Sequence, residues 1–103
     1  MKNIHQQLLT RPTFVEINMD NIRHNFNEVK KQISGQKIMC IVKGNAYGHG
    51  IVEMAEYFEK LGADYLGVAI PEEGVELRNA GITKAILVLS AIADKQIAVY
   101  TDG

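Results

Sequence analysis

The sequence predicts an α/β fold built on a parallel sheet, and three observations carry that expectation. Short runs of branched apolar residues alternate with stretches of helical periodicity; those runs are continuously apolar, not alternating; and glycine or proline stands at the junctions between them. Unbroken apolar strands separated by helices of about ten residues are what right-handed βαβ crossovers require, because helices then cover the sheet.

Taken in order, Phe14-Val15-Glu16-Ile17-Asn18 alternates in polarity, as a strand with one covered face would, and it need not join the main sheet. From Asp20 onward Ile22, Phe26, Val29 and Ile33 recur at helical spacing, with Asn18 or Asp20 available as an N-cap and Gly35 as a stop. Residues 38–42 then form a strand buried on both faces, and Lys43 lies just past its end. Ile51, Met54, Ala55, Phe58 and Leu61 share one face of a second helix, closed by Gly62 in the left-handed cap position. The next buried strand covers residues 65–69. Pro71 opens a third helix, with Glu72 and Glu73 favourably placed in its first turn, and the helix runs to Ala80 before Gly81 ends it. Gly74 inside it costs about 1 kcal/mol relative to alanine. Residues 85–89 complete the array as a further buried strand, while residues 1–11 are polar and poorly periodic, a lead-in to a domain covering 12–103. The chain shows no internal repeat, low-complexity tract or linker.

Composition narrows the function classes. Hydrophobic residues make up 47% of the 103 residues and charged ones 22%, which is the balance of a globular protein able to bury a core. That length suits one small domain and falls well short of the ~250 residues of a closed (β/α)₈ barrel. A net charge of −1 with interspersed signs leaves no basic stripe for nucleic acid. No apolar run could cross a bilayer and the start lacks a signal-peptide apolar region, so a cytoplasmic protein with no membrane partner is expected. Cys40, the single cysteine, sits in an apolar run and reads as a small buried hydrophobe; no His, Cys and carboxylate spacing suggests a metal site.

Chemistry concentrates at Lys43. Groups at the carboxyl ends of parallel strands face the ligand crevice. A lysine beside an apolar wall has its ammonium form disfavoured, and the free amine is the species that adds to an aldehyde to form a Schiff base. Gly44, Gly48 and Gly50 allow tight turns and close backbone approach, Tyr47 offers a phenolic donor to a phosphate oxygen, and a helix start follows with free N–H groups. Taken singly, each residue has a plainer role: Lys43 as a solvated loop residue, Tyr47 as packing or a cap, His49 as a turn residue, Asn45 as a turn former through side-chain to backbone bonding.

The whole stretch Val42-Lys43-Gly44-Asn45-Ala46-Tyr47-Gly48-His49-Gly50 closely resembles the pyridoxal-phosphate attachment signature of the alanine racemases. The likeness extends to Phe14-Val15-Glu16-Ile17-Asn18-Met19-Asp20-Asn21-Ile22, and to Glu72-Glu73-Gly74-Val75-Glu76-Leu77-Arg78-Asn79-Ala80-Gly81-Ile82 with Ile86-Leu87-Val88-Leu89, so that residues 12–90 are covered. Gly44 in place of the more usual alanine, and Ser90 where the family commonly has glycine, are mild departures.

The resemblance implies a partial (β/α)₈ TIM-like barrel, with parallel strands alternating with helices and the chain too short to close it. It implies that Lys43 attaches pyridoxal 5′-phosphate and acts as one of two bases at the substrate α-carbon, that Tyr47 binds the cofactor phosphate, and that Leu89 packs near the cofactor ring. The implied activity is interconversion of L- and D-alanine for bacterial cell-wall precursors, in a homodimer. The family's second base is a tyrosine from a C-terminal β domain, supplied across the dimer interface and absent from this chain. The isolated chain is therefore expected to be inactive, with open strand edges that invite self-association. The alternatives are a racemase of serine or another small amino acid, and a small non-catalytic pyridoxal-phosphate-binding protein.

Overall fold

The computed structural model describes residues 16–103. The expected lead-in over residues 1–11, and Phe14 and Val15 of the alternating segment, lie outside the described residues. The other three members of that segment form no strand. Asn18 instead caps the first helix, its side-chain oxygen accepting the Asn21 N–H at 3.1 Å, so capping chemistry overrides a polarity alternation only five residues long.

Helix α1 covers Met19–Gln32, with Asp20 in its first turn and Lys30 and Lys31 in its last, each favourable to the helix dipole. Of its apolar stripe only Phe26 is buried, against Phe58 with ring centroids 6.3 Å apart, while Val29 is 53% exposed. Strand β1 (Met39–Ile41) leads into a turn at Lys43–Tyr47 and then helix α2 (Ile51–Leu61), which Gly62 closes at φ 99°. Strand β2 (Tyr65–Val68) is followed by helix α3 (Pro71–Asn79), and strand β3 (Ala85–Val88) follows that. A 3₁₀ turn at Asp94–Gln96 and helix α4 (Ile97–Asp102), unread in the sequence, end the chain.

The three strands are parallel and lie in sequence order, with Met39 opposite Tyr65 and Tyr65 opposite Ala85. Sequential order without a reversal means that successive crossovers all fall on one side, and the buried residues show this directly. Cys40, Val42, Leu66, Val68, Ile86 and Val88 all pack in one cluster with Ile51, Met54 and Ala55 of α2 and Leu77 of α3. These are the even-numbered strand positions, which period-2 alternation places on one face.

The odd-numbered face differs from expectation. The strands were expected to be buried on both sides, yet Met39 is 37% exposed, Leu87 46% and Leu89 50%. On this face Ile41 lies over Gly67, where an added Cβ would stand 2.5 Å from the Ile41 Cδ1 atom. Loop ends are stapled by side chains: Glu59 of α2 accepts the N–H groups of Thr83 and Lys84 at 3.0 and 3.1 Å, and Asp64 accepts that of Ile38 at 2.8 Å.

Candidate active site at the end of the first strand

Lys43 stands just past the carboxyl end of β1, where Val42 (φ −121°, ψ 17°) has already left the extended conformation, and it is half-buried. The residue before it is fixed, since Val42 is fully buried and its N–H donates to the Gly67 carbonyl at 2.8 Å. The residue after it opens an unusual turn. Gly44 (φ 61°, ψ 44°), Asn45 (56°, 41°), Ala46 (55°, 45°) and Tyr47 (φ 56°) all adopt left-handed helical angles. For L-residues that conformation costs roughly 1–2 kcal/mol each, so three consecutive non-glycine residues must be held by their surroundings.

Several contacts hold them. Asn45 Oδ1 accepts the Ile51 N–H at 2.8 Å, so the side chain that shapes the turn also caps α2, and the Asn45 carbonyl accepts the Gly50 N–H at 2.9 Å. Ala46 is 6% exposed, its methyl inside the core. Gly48 and Gly50, at φ 92° and 98°, take the positive angles that leave the turn. His49 Nδ1 lies 3.1 Å from the Ala46 carbonyl; donating there makes His49 a turn residue, with its proton assigned to Nδ1 by that contact.

One further holder was missed in the sequence. Glu73, in the first turn of α3, accepts the Gly44 N–H on Oε2 at 2.8 Å and the Ala69 N–H on Oε1 at 2.7 Å. Burial pushes its carboxyl up, but the N–H groups of Ala69, Gly44, Ile70 and Asn45 outweigh this and hold it below the ordinary carboxylate range. The signal that could have found it is its place as third residue of a helix begun by proline, where a glutamate reaches back to the preceding backbone. Treating Glu73 only as a charge favourable to the dipole overlooked that reach.

Tyr47 is 64% exposed and, with Ile22, Ile41 and His49, lines a shallow cavity of about 190 Å³. Leu89 donates its N–H to the Val68 carbonyl at 2.8 Å, which holds it against β2 just past the end of β3. Lys43 and Leu89 thus lie just beyond the carboxyl ends of β1 and β3, and Tyr47 closes the turn after β1. Of the three only Tyr47 lines the 190 Å³ cavity, whose other walls include Met54 and Phe58 of α2, and that volume is below the ~300 Å³ usual for ligand sites. A larger hollow of about 400 Å³ lies between α3, β3 and α4, against Ile86 and Val88. Its cation, Arg78, already donates to the carbonyls of Ile82, Lys84 and Gly103. Among the described residues no group of three or more His, Cys, Asp or Glu side chains could hold a metal ion, and no helix is long and apolar enough to cross a membrane. Cys40 is half-buried, and burial pushes its thiol up to about 11.

Residues 17–102 match the family described as alanine racemase, N-terminal domain. An alanine racemase of Halothermothrix orenii is 47% identical over 89 residues, covering 85% of this chain and 24% of its own length. The crystal structure of alanine racemase from Bacillus anthracis with bound L-Ala-P superposes with a TM-score of 0.85 at 41% identity, covering 89% of this chain and 24% of that one. A histidine racemase from Leuconostoc mesenteroides subsp. sake superposes with a TM-score of 0.76 at 28% identity, over 82% of this chain and 23% of that one. The chain spans about a quarter of the length of the relatives it matches.

Proposed function

The chain belongs to the alanine racemase N-terminal domain family, and from that premise we propose that it is the first portion, residues 12–103, of the barrel domain of a pyridoxal 5′-phosphate-dependent racemase that interconverts L- and D-alanine. The observation that carries this reading is Lys43, set before a left-handed turn at the carboxyl end of β1 and inside the matched span.

The residues present suit the cofactor chemically. Lys43 supplies an amine, Tyr47 an exposed phenol one turn away, and Leu89 an exposed apolar side chain just past β3. In this reading Lys43 attaches the cofactor, Tyr47 donates to a phosphate oxygen, and Leu89 covers one side of the ring. When bound, the group supplies an electron-withdrawing ring that acidifies the α-proton of the amino acid. Lys43 then takes or returns that proton on one face of the α-carbon. A base on one face alone restores the same enantiomer, so inversion needs a second base on the opposite face. Assembly of the parent as a homodimer would supply it, and this chain alone is inactive in that account. A cytoplasmic, bacterial role in cell-wall precursor supply goes with the alanine reading.

The similarity to a histidine racemase favours a second reading, in which the attachment chemistry is the same and the substrate is another amino acid. Lys43, Tyr47 and Leu89 address cofactor and α-carbon, and do not distinguish side chains.

The test is covalent trapping. The purified chain is mixed with pyridoxal 5′-phosphate, its absorption spectrum recorded, the mixture reduced with borohydride, and the labelled residue located by mass spectrometry, with Lys43→Ala as control. A visible absorption band and a single stable adduct at Lys43 are expected. Equal labelling of surface lysines, or labelling that survives Lys43→Ala, would sink the reading.

A further inference from the structure

The structure assigns Glu73 as a positioning residue for Lys43, a claim that rests on the reading of Lys43 as the cofactor lysine. A side chain leaves its Cα in a direction set by the two flanking peptide groups, and both groups at Lys43 are tied. On one side, the Val42 carbonyl, part of the peptide group before Lys43, accepts the Ala46 N–H at 2.8 Å. On the other, the amide that follows Lys43 is the Gly44 N–H, and its partner is Glu73 Oε2 at 2.8 Å.

Both oxygens of Glu73 are occupied. Oε1 takes the N–H groups of Ala69 at 2.7 Å and Ile70 at 3.3 Å, while Oε2 reaches across to the turn after β1. The carboxylate therefore bridges the carboxyl ends of two neighbouring strands from the start of α3. This matters at Gly44 in particular, because that residue begins the left-handed turn whose non-glycine members resist their own conformation. A glycine can leave positive φ at no steric cost, so without an outside partner the turn would loosen first where it joins Lys43. Reactive groups must be held within ~0.5 Å and 10–20° of the working geometry, and a charge-assisted bond to a helix terminus is a rigid way to do so.

An ordinary helix cap would account for Oε1 but not for Oε2. Glu73→Gln separates the two roles, since an amide keeps one acceptor oxygen and cannot serve both Gly44 and Ala69; Glu73→Ala removes both. Glu72→Ala, at the exposed neighbour, is the control. Hydrogen exchange is read residue by residue on the 103-residue chain, and borohydride trapping of added pyridoxal 5′-phosphate gives the share of adduct on Lys43 against the other lysines.

In both Glu73 variants the Gly44 amide should exchange about tenfold to a hundredfold faster, as loss of a charged hydrogen bond implies. The core amides of Leu66 and Ala55 should keep their rates, and the Lys43 share of adduct should fall; Glu72→Ala should change none of these. If Gly44 exchange does not change, or if it rises while the Lys43 share stays as in wild type, Glu73 does not position the lysine. A wild-type chain with no preference for Lys43 is a different result: it overturns the functional reading itself, and the positioning claim with it.

Discussion

Between Lys43 and Gly48 the chain is held in a conformation its own side chains disfavour, and the strain is balanced by few contacts. Asn45 makes the most of them from one residue: its carbonyl accepts the Gly50 N–H and its side chain the Ile51 N–H, at 2.9 and 2.8 Å. Asn45→Ala should therefore lower stability by about 1 kcal/mol or somewhat more, the cost of losing a helix cap, with the loss seen as a lower urea midpoint at unchanged slope. An unchanged midpoint would mean that solvent caps α2 equally well. At this scale the sequence was legible where local placement decides the outcome. Lys43 follows from its place just past an apolar run, and Asn45 from the habit of short amides in turns, whereas Leu89 was singled out by the family resemblance alone. The run of left-handed residues was not legible, because alanine and tyrosine avoid that region by intrinsic preference and only tertiary contacts hold them there. The reach of Glu73 back to Ala69 was legible from its third place in α3, but its bond to Gly44 was not, because the fold brings Gly44 to it.

Helices and strands were read more securely than single contacts, because their signals are summed over many residues. Helix α2 runs from Ile51 to its glycine cap as its periodicity predicts, and each of the three strands occupies part of an apolar run. Helix α3 is the weakest by propensity, since Gly74 interrupts it. In the structure Gly74 is buried, and a Cβ added there would meet only the Ile86 Cγ2 atom at 3.8 Å, an ordinary contact distance. Gly74→Ala should thus stabilise the chain by about 0.5–1 kcal/mol, through lost freedom of the unfolded state and one extra contact with β3. A rise in thermal or urea midpoint is the expected result; a fall would show that α3 must approach the sheet more closely than these distances allow. The last elements, the 3₁₀ turn and α4, carried no sequence signal, being three and six residues long and without a buried side chain.

At the scale of the whole molecule, the apolar strand sequences and the exposed odd-numbered face stand in apparent conflict. Unbroken apolar strands are suited to a sheet covered on both sides, and a closed barrel is such a sheet, with helices outside and inward side chains packed against one another. Three parallel strands in sequential order are the beginning of that arrangement, and the relatives that the chain matches are about four times as long. The strand sequences therefore record a burial that these three strands cannot complete among themselves. Among the described residues the physical consequence is a sheet with two unpaired edges and an apolar face holding Met39, Leu87 and Leu89, all more than a third exposed. Exposed apolar surface next to open strand edges drives association at micromolar to millimolar concentrations. Sedimentation of the chain should accordingly give a weight-average mass that climbs with concentration, and Met39→Lys combined with Leu87→Lys, neither among the residues assigned to cofactor or α-carbon, should return it towards 11.4 kDa. Because both side chains are already partly in water, the unfolding midpoint should barely move. A wild-type chain that stays monomeric over that range would show that the odd-numbered face is covered in solution, and the cover would then have to come from the chain itself.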